Sequence, residues 1–217
     1  MIRRNKEISR DRFIQGDELN AFFTALNNEP NPTIRDYIYL SLFTGARRDN
    51  VLSMKWSEIS LSEGTWRIPM TKNGTPQNIP LPKPIIELLK ERRNMIDKSE
   101  VFVFPGSGKT GHLVEPRKGW ERLLAQAKIA DLRLHDLRRT MGSWQAKTGA
   151  SLVVIGKSLN HKSTQTTAIY ARLDMDPVRA SMNSAADAML KAGGIIKSAP
   201  AKKAMRYRMI GRNIAKQ

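Results

Sequence analysis

Residues 132–144 constrain the fold most, because their apolar positions follow the period of an α-helix. Three of them recur at i, i+4 and i+7 and predict a helix with one buried stripe: Leu137, Met141 and Trp144. His135 and Arg138, three residues apart, then lie one above the other on an adjacent face. A titratable imidazole beside a permanent cation is suited to holding a phosphate and moving a proton near it. When a His-x-x-Arg motif occurs by itself, a structural histidine in the core beside a solvated surface arginine is the commoner explanation.

The charge balance limits the partners of the chain. Its 217 residues include 37 Lys and Arg against 20 Asp and Glu, a formal net charge of +17. Such an excess attracts polyanions, so nucleic acid is the expected partner and an acidic membrane surface is the alternative. No apolar run approaches the roughly 18 residues that span a bilayer, and no signal pattern opens the chain. We therefore expect a soluble intracellular protein.

Composition also excludes several kinds of site. The chain has no cysteine, which rules out disulfides, thiol nucleophiles and thiolate metal centres. Its three histidines are His112, His135 and His161, and no carboxylate cluster accompanies them. Asp176 precedes a proline and is better explained as a helix N-cap than as a metal ligand. The glycine-rich residues 106–111 lack the spacing of a phosphate-binding loop. We expect no metal and no cofactor.

The remaining periodicity predicts a mainly α-helical chain with a small antiparallel β-sheet, an α+β fold. Helices are expected in residues 17–27, capped by Asp17, and in 31–44, 85–95, 116–129 and 176–191, with short helices near 46–52, 152–159 and 164–170. Residues 101–104 read as a short strand. We predict an arm in residues 1–13, one domain in 14–192 and a basic tail in 193–217.

Residues 65–82 predict a β-hairpin. Asn73-Gly74 between two extended runs is the strongest short hairpin signal, because both turn residues accept a positive φ. Three prolines restrict the hairpin to a small or edge sheet: Pro69, Pro76 and Pro80. Lys72 stands at the tip, where most lysines only improve solubility. Arg47, just after Gly45 at the end of a predicted helix, is by itself explained as a solvated cation that complements a helix dipole.

Together, these residues resemble one family. In order along the chain, four motifs match those of the tyrosine site-specific recombinases, the phage integrase family: Thr44-Gly45-Ala46-Arg47, Thr71-Lys72-Asn73-Gly74, His135-Asp136-Leu137-Arg138, and Leu159-Asn160-His161 with Tyr170 nine residues later. Each motif is weak by itself, but the ordered set is specific. The resemblance covers roughly residues 13–176.

The resemblance implies the fold of the tyrosine recombinase catalytic domain and a reaction without metal or nucleotide. Tyr170 would attack the scissile phosphate and form a 3′-phosphotyrosine, and Arg47 and Arg138 would clamp its non-bridging oxygens. Lys72 would protonate the departing 5′-oxygen, and His135 would assist proton transfer. His161 would donate a hydrogen bond to the phosphate. Two fixed guanidiniums suit this role because charge spreads over the phosphate oxygens during attack.

The expected partner is double-stranded DNA with attachment-type sites. The resemblance implies a homotetramer on DNA, a monomer in the absence of DNA, and accessory proteins that bend the DNA. This places the protein in the bacterial cytoplasm, at the nucleoid. Nothing in the chain is long enough for the usual N-terminal DNA-binding domain, so we expect the catalytic half of a longer integrase. The alternatives are a type IB topoisomerase-like strand transferase, which uses a similar residue set, and a non-catalytic DNA-binding protein of the same fold.

Two residues depart from the family pattern. Asn50 stands where an acidic residue usually follows the first arginine, and is expected to loosen the support of Arg47. Asn160 replaces a glycine before the second histidine. Asparagine tolerates a positive φ, so this change is expected to do little harm.

Overall fold

A computed structural model describes residues 11–71, 74–172 and 176–193, so the expectations for Lys72 and for most of the arm and the tail lie outside the described residues. The described helices are α1 (Leu19–Asn27), α2 (Pro32–Thr44), α3 (Arg48–Leu52), α4 (Lys83–Met95), α5 (Arg117–Ala127), α6 (Asp136–Lys147), α7 (Leu152–Ser158), α8 (Thr164–Thr167) and α9 (Asp176–Ala192). The strands are β1 (Ile59–Ser60), β2 (Thr65–Ile68) and β3 (Gln77–Pro80), and 3-10 segments occupy Trp56–Glu58 and Ala168–Arg172.

The three strands form one antiparallel sheet in the order β1-β2-β3, which confirms the predicted small sheet. The ladder of β2 and β3 ends where Ile68 pairs with Gln77, so residues 69–76 connect the two strands. Pro69 and Pro76 flank this last pair, and Pro76 has no N–H to extend the ladder. The loop narrows again where Thr71 N–H donates to the carbonyl of Thr75 (3.2 Å).

Helices α1, α2, α5 and α6 pack in pairs, α1 on α5 and α2 on α6. The start of α2 is the one that the sequence predicts: the Asn31 side chain accepts from the N–H groups of Thr33 and Ile34, and Pro32 occupies the first turn. The helix ends at Gly45, whose φ is +59°. In this core, fully buried Phe22 of α1 lies edge-on to Trp120 of α5, with ring centroids 6.2 Å apart.

Helix α6 begins one residue after His135. Its predicted stripe faces inward, with Leu137 buried and Met141 and Trp144 half-buried. Thr140 accepts from the Ile14 N–H (3.0 Å), and the Trp144 indole donates to the Ile14 carbonyl (3.1 Å). The neighbouring Phe13, assigned by sequence to the arm, is also buried. The chain is therefore part of the folded structure from this point.

Three local predictions are wrong. Asp17 does not cap α1; the N-cap is Glu18, whose carboxylate is taken by Arg12 and by the Gln15 N–H. Residues 101–104 form only an isolated bridge, Lys55 with Phe102, because the partner segment turns into the 3-10 segment Trp56–Glu58. Leu152 is 38% exposed at the start of α7 instead of facing inward.

Residues 178–217 form a second compact unit, of which the structure describes the part within α9 and Gly193. The helix confirms the one expected for 176–191. Across the described residues, no helix is both long enough and apolar enough to cross a bilayer.

Replacing Arg92 should destabilise the fold strongly. Its buried guanidinium binds the buried Asp36 carboxylate (3.1 Å) and the Val103 carbonyl (2.6 Å). Within the described part of the chain, Arg92→Ala leaves Asp36 with only the half-exposed Arg35 (3.0 Å), so we expect a loss of about 3 kcal/mol in the free energy of unfolding. Urea denaturation measures it.

The matched control is Arg117→Ala, which breaks an exposed i,i+4 ion pair with Glu121 (2.9 Å). It should cost no more than about 0.5 kcal/mol. Equal losses for the two variants would show that the Arg92 pair does not stabilise the core.

Candidate active site

The buried guanidinium of Arg138 lies where three helices meet. Arg138 is 8% exposed on α6; its Nη1 donates to the Gly45 carbonyl (2.6 Å) and its Nη2 donates to the Leu159 carbonyl. Gly45 ends α2 and Leu159 ends α7. Gly45 has a φ of +59°, which strains any other residue, and an added Cβ would lie 2.7 Å from the end of the Leu159 side chain. Arg138 has five N–H donors and these two bonds leave the others for a ligand.

Arg47 joins the same place from the other side of Gly45. It is the N-cap of α3 with an extended backbone, and its Nη2 donates to the Asn160 carbonyl (3.4 Å). The two guanidiniums therefore bind consecutive carbonyls, of Leu159 and of Asn160. Asn50 gives Arg47 no hydrogen bond within the described residues, and its own amide nitrogen is buried without a partner.

Asn160 has a φ of +51°, the left-handed conformation that asparagine is expected to tolerate at this position. Its side-chain amide also donates to the Thr71 hydroxyl (3.3 Å), a contact that glycine could not make. Thr71 directly precedes Lys72 in the sequence. The turn before His161 is thus bonded both to Arg47 and to the loop between β2 and β3.

His161 and Tyr170 lie against each other on the far side of this turn. Their rings are parallel, 4° apart, with centroids separated by 6.2 Å. The Tyr170 ring is 4% exposed and packs on Gly142 of α6, where an added Cβ would lie 2.5 Å from Cζ. The ring belongs to a small apolar cluster with Ile155 and Leu159.

His135 lies at the N-cap of α6 with an exposed surface. Partial loss of hydration lowers the pKa of its ring, and the nearby positive charges of Arg138, Arg139 and Arg47 lower it further. His135 therefore lies in the same positive field as the two site arginines.

The pKa shifts of the other site groups have the same origin. Burial lowers the pKa of His161 to about 4, and Arg138 and Arg47 add to the effect, so the ring is neutral at pH 7. Burial and then Arg47 lower the pKa of Arg138 to about 10, which leaves it charged. Burial raises the pKa of the Tyr170 phenol, although Arg138 and Arg139 act in the opposite direction. The phenol is protonated at neutral pH.

The structure thus brings together four of the six predicted site residues, Arg47, Arg138, His161 and Tyr170, and places a fifth, His135, at the start of the helix that carries Arg138. Lys72 lies outside the described residues. The sequence did not reveal that Gly142 makes room for the Tyr170 ring or that Thr71 accepts a hydrogen bond from Asn160. Within the described ranges, no group of three or more His, Asp or Glu side chains could hold a metal ion.

Residues 12–176 match the model of the phage integrase family. The chain belongs to that family. A prophage integrase, IntF of Escherichia coli K12, is 30% identical over 173 residues, which cover 78% of this chain and 37% of the relative. A tyrosine recombinase of Thermosipho africanus is 25% identical over 159 residues, covering 73% of this chain and 56% of the relative. The chain thus spans about half or less of the length of these two relatives.

Solved structures share the fold of this phage integrase domain. The XerH site-specific recombinase bound to its difH substrate has a TM-score of 0.63 at 24% identity, over 74% of this chain and 50% of that one. The catalytic domain of bacteriophage HP1 integrase has a TM-score of 0.60 at 18% identity, over 79% of this chain and 93% of that one. The predicted fold, a tyrosine recombinase catalytic domain, is confirmed.

Gly142→Ala should displace the Tyr170 ring. The added methyl would lie 2.5 Å from the ring, so the ring must move by about 1 Å, while the helix gains about 1 kcal/mol of propensity. We expect Tyr170 to react faster with tetranitromethane, measured by peptide mass spectrometry, at nearly unchanged stability.

Ser143→Ala is the matched control. It alters the next buried residue of α6 by removing a hydroxyl that has no hydrogen-bond partner among the described residues, and it adds no atom. Tyr170 should stay protected in it. Equal protection of Tyr170 in both variants would mean that Gly142 does not seat the ring.

The stability of the domain should fall as pH is lowered from about 6.5 to about 4. His161 binds a proton at pH 6.5 when unfolded but only near pH 4 when folded, so the unfolded state binds more protons between these values. His135 acts in the same direction. Urea denaturation across this range, with His161→Gln for comparison, measures the effect.

His161→Gln should show a shallower fall in stability with decreasing pH. An NMR titration of the ring protons in the folded protein should also give His161 a pKa near 4. A His161 pKa near 6.5 would contradict the buried, positively charged setting.

Proposed function

We propose that this chain is the catalytic domain of a site-specific recombinase that cuts and rejoins DNA through a 3′-phosphotyrosine, to integrate or excise a prophage or another mobile element. The observation that carries the proposal is the convergence of Arg47, Arg138 and His161 beside the Tyr170 ring. Membership of the phage integrase family and similarity to a prophage integrase support it.

The two arginines provide the electrostatic part of the reaction. Their guanidiniums are fixed by backbone carbonyls before any substrate binds, so little reorganisation is needed when a phosphate enters. During attack, negative charge spreads over the non-bridging oxygens. Fixed cations then stabilise the transition state more than the ground state.

Tyr170 supplies the nucleophile. Its oxygen forms a bond to phosphorus while the bond from phosphorus to the 5′-oxygen breaks, and the phenol gives up its proton. Because burial raises the pKa of the phenol, a base must take this proton, and we assign that role to His135, whose lowered pKa keeps the ring neutral at pH 7. The departing 5′-oxygen takes a proton from Lys72.

Rejoining reverses these steps. A 5′-hydroxyl attacks the phosphotyrosine, the phenol leaves and regains its proton, and the phosphodiester is restored. The energy of the broken bond is kept in the phosphotyrosine, so no nucleotide is consumed. The proposed assembly is a homotetramer on paired attachment sites, with the chain monomeric away from DNA and accessory proteins bending the DNA.

Double-stranded DNA is the proposed substrate. The net charge of +17 favours a polyanion, and the Tn1549 transposon integrase, a solved structure of similar fold, is in complex with circular intermediate DNA. With this excess of positive charge, the affinity of the chain for DNA should be mostly electrostatic and should fall steeply with salt. The protein would act in the bacterial cytoplasm, at the nucleoid.

The full chain should form a covalent adduct with DNA. A pool of nicked duplexes of random sequence is incubated with the protein in chelator, denatured with detergent, and the DNA attached to protein is sequenced. The wild type should give adducts enriched in one site, and Tyr170→Phe should give none.

Arg138→Lys keeps the charge but loses the fork that binds two carbonyls, so it should lower adduct formation far more than DNA binding. Equal losses would mean that Arg138 only anchors DNA. An adduct without site preference, together with relaxation of any supercoiled plasmid, would favour the topoisomerase-like alternative. DNA binding without an adduct would favour a non-catalytic protein.

A further inference from the structure

Thr167 contacts the site without being part of any motif considered so far. It is the last residue of α8, it is 2% exposed, and its Oγ1 lies 2.9 Å from Nδ1 of His161. It also lies three residues before Tyr170 in the chain. The hydroxyl therefore connects the segment that carries the tyrosine to the histidine stacked on that tyrosine.

The hydroxyl packs against Gly156 of α7, in the space that a side chain at this position would fill. A Cβ added at Gly156 would lie 3.0 Å from Oγ1 of Thr167, closer than such atoms normally pack. The carbonyl of the same glycine accepts from the backbone N–H of His161 (2.9 Å). Gly156 thus fixes the backbone of His161 and admits the hydroxyl that meets its ring.

Hydrogen-bond satisfaction assigns the ring proton. Among the described residues, His161 Nδ1 is the only hydrogen-bond partner of the Thr167 hydroxyl. If Nδ1 carried the proton, the buried hydroxyl hydrogen would have no acceptor, which costs about 1–3 kcal/mol. The satisfied arrangement has the hydroxyl donating to Nδ1, and the neutral ring then carries its proton on Nε2.

We infer that Thr167 is a positioning residue: its hydroxyl holds His161 as the Nε2–H tautomer, with the N–H available to a phosphate oxygen. This deepens the proposed function and rests on it, because the phosphate is that of the DNA to be cut. A proton on Nδ1 would instead leave Nε2 as an acceptor, whose lone pair would repel a phosphate oxygen.

The position of Thr167 gives this contact a second consequence. Thr167 and Tyr170 belong to adjoining turns, α8 and the 3-10 segment Ala168–Arg172, and both meet His161. The same short segment therefore seats the nucleophile and orients the donor. His161 is set to donate when Tyr170 is in place beside it.

The first test needs neither DNA nor activity. Long-range proton–nitrogen NMR spectra of the imidazoles distinguish the two tautomers, and three histidines can be assigned by single replacements. In the wild type, His161 should carry its proton on Nε2. Thr167→Val, which keeps the shape but loses the hydroxyl, should give a mixture of tautomers, and Thr167→Ser should restore the Nε2–H form.

Thr166→Val is the matched control, because it makes the same change at the exposed neighbouring residue of α8. It should leave the tautomer of His161 unchanged. A proton on Nδ1 in the wild type, or an unchanged Nε2–H tautomer in Thr167→Val, would overturn the inference.

The second test uses adduct formation with the site-bearing DNA. Thr167→Val should lower the rate about tenfold, the effect of losing one hydrogen bond of ordinary strength. In a His161→Ala background the same change should cost little, because Thr167 acts through the ring. Equal losses in the two backgrounds would show a merely structural role and overturn the inference. Failure of the wild type to form an adduct would instead refute the proposed function, and the NMR result would still decide the tautomer.

Discussion

The site depends on the binding of buried arginine to the carbonyls at helix ends. Arg138 donates to the carbonyls of Gly45 and Leu159, which are the C-caps of α2 and α7. The carbonyls that end a helix lack intrahelical partners and carry partial negative charge, so they suit a cation that has lost its hydration. One guanidinium thereby satisfies two helix ends and fixes α6 between them.

This arrangement leaves the site with more positive than negative charge. Burial lowers the pKa of His161 and that of Arg138. Arg138 and Arg47 lower the pKa of His161 further, and Arg47 lowers that of Arg138, so the groups repel one another's protons. The carbonyls offset part of this repulsion but carry no full charge. An anion placed among these groups would relieve it, which is the electrostatic basis on which the site is proposed to bind a phosphate.

The sequence predicts those features that depend on neighbours in the chain. Asn31, Pro32 and Gly45 define both ends of α2 because capping and positive φ act within a few residues. The N-cap of α1 could not be predicted, because it depends on a side-chain contact: Arg12 binds the carboxylate of Glu18. The prediction of a strand at 101–104 was wrong because a strand needs a paired neighbour. The segment that pairs through Lys55 continues into the 3-10 segment Trp56–Glu58.

The same distinction applies to the site. The ordered motifs identify the polar residues, but not the contacts that arrange them. The bonds of Arg138 to carbonyls, of Asn160 to Thr71 and of Thr167 to His161 follow no spacing rule. Gly142 is a similar case. Only the structure shows that the Tyr170 ring packs against this position and leaves no room for a side chain there.

The fold finally assigns the arginines and the proposed nucleophile to two different apolar clusters. Arg138 lies on α6, which packs on α2 in the large core, whereas Tyr170 belongs to a small cluster with Ile155 and Leu159. Few buried apolar groups hold the segment that carries the tyrosine, so it can open at a lower free energy than the core. The proposed reaction forms and then breaks a bond to the tyrosine, and this division suits it, because the phosphate would stay clamped while the phenol approaches and leaves.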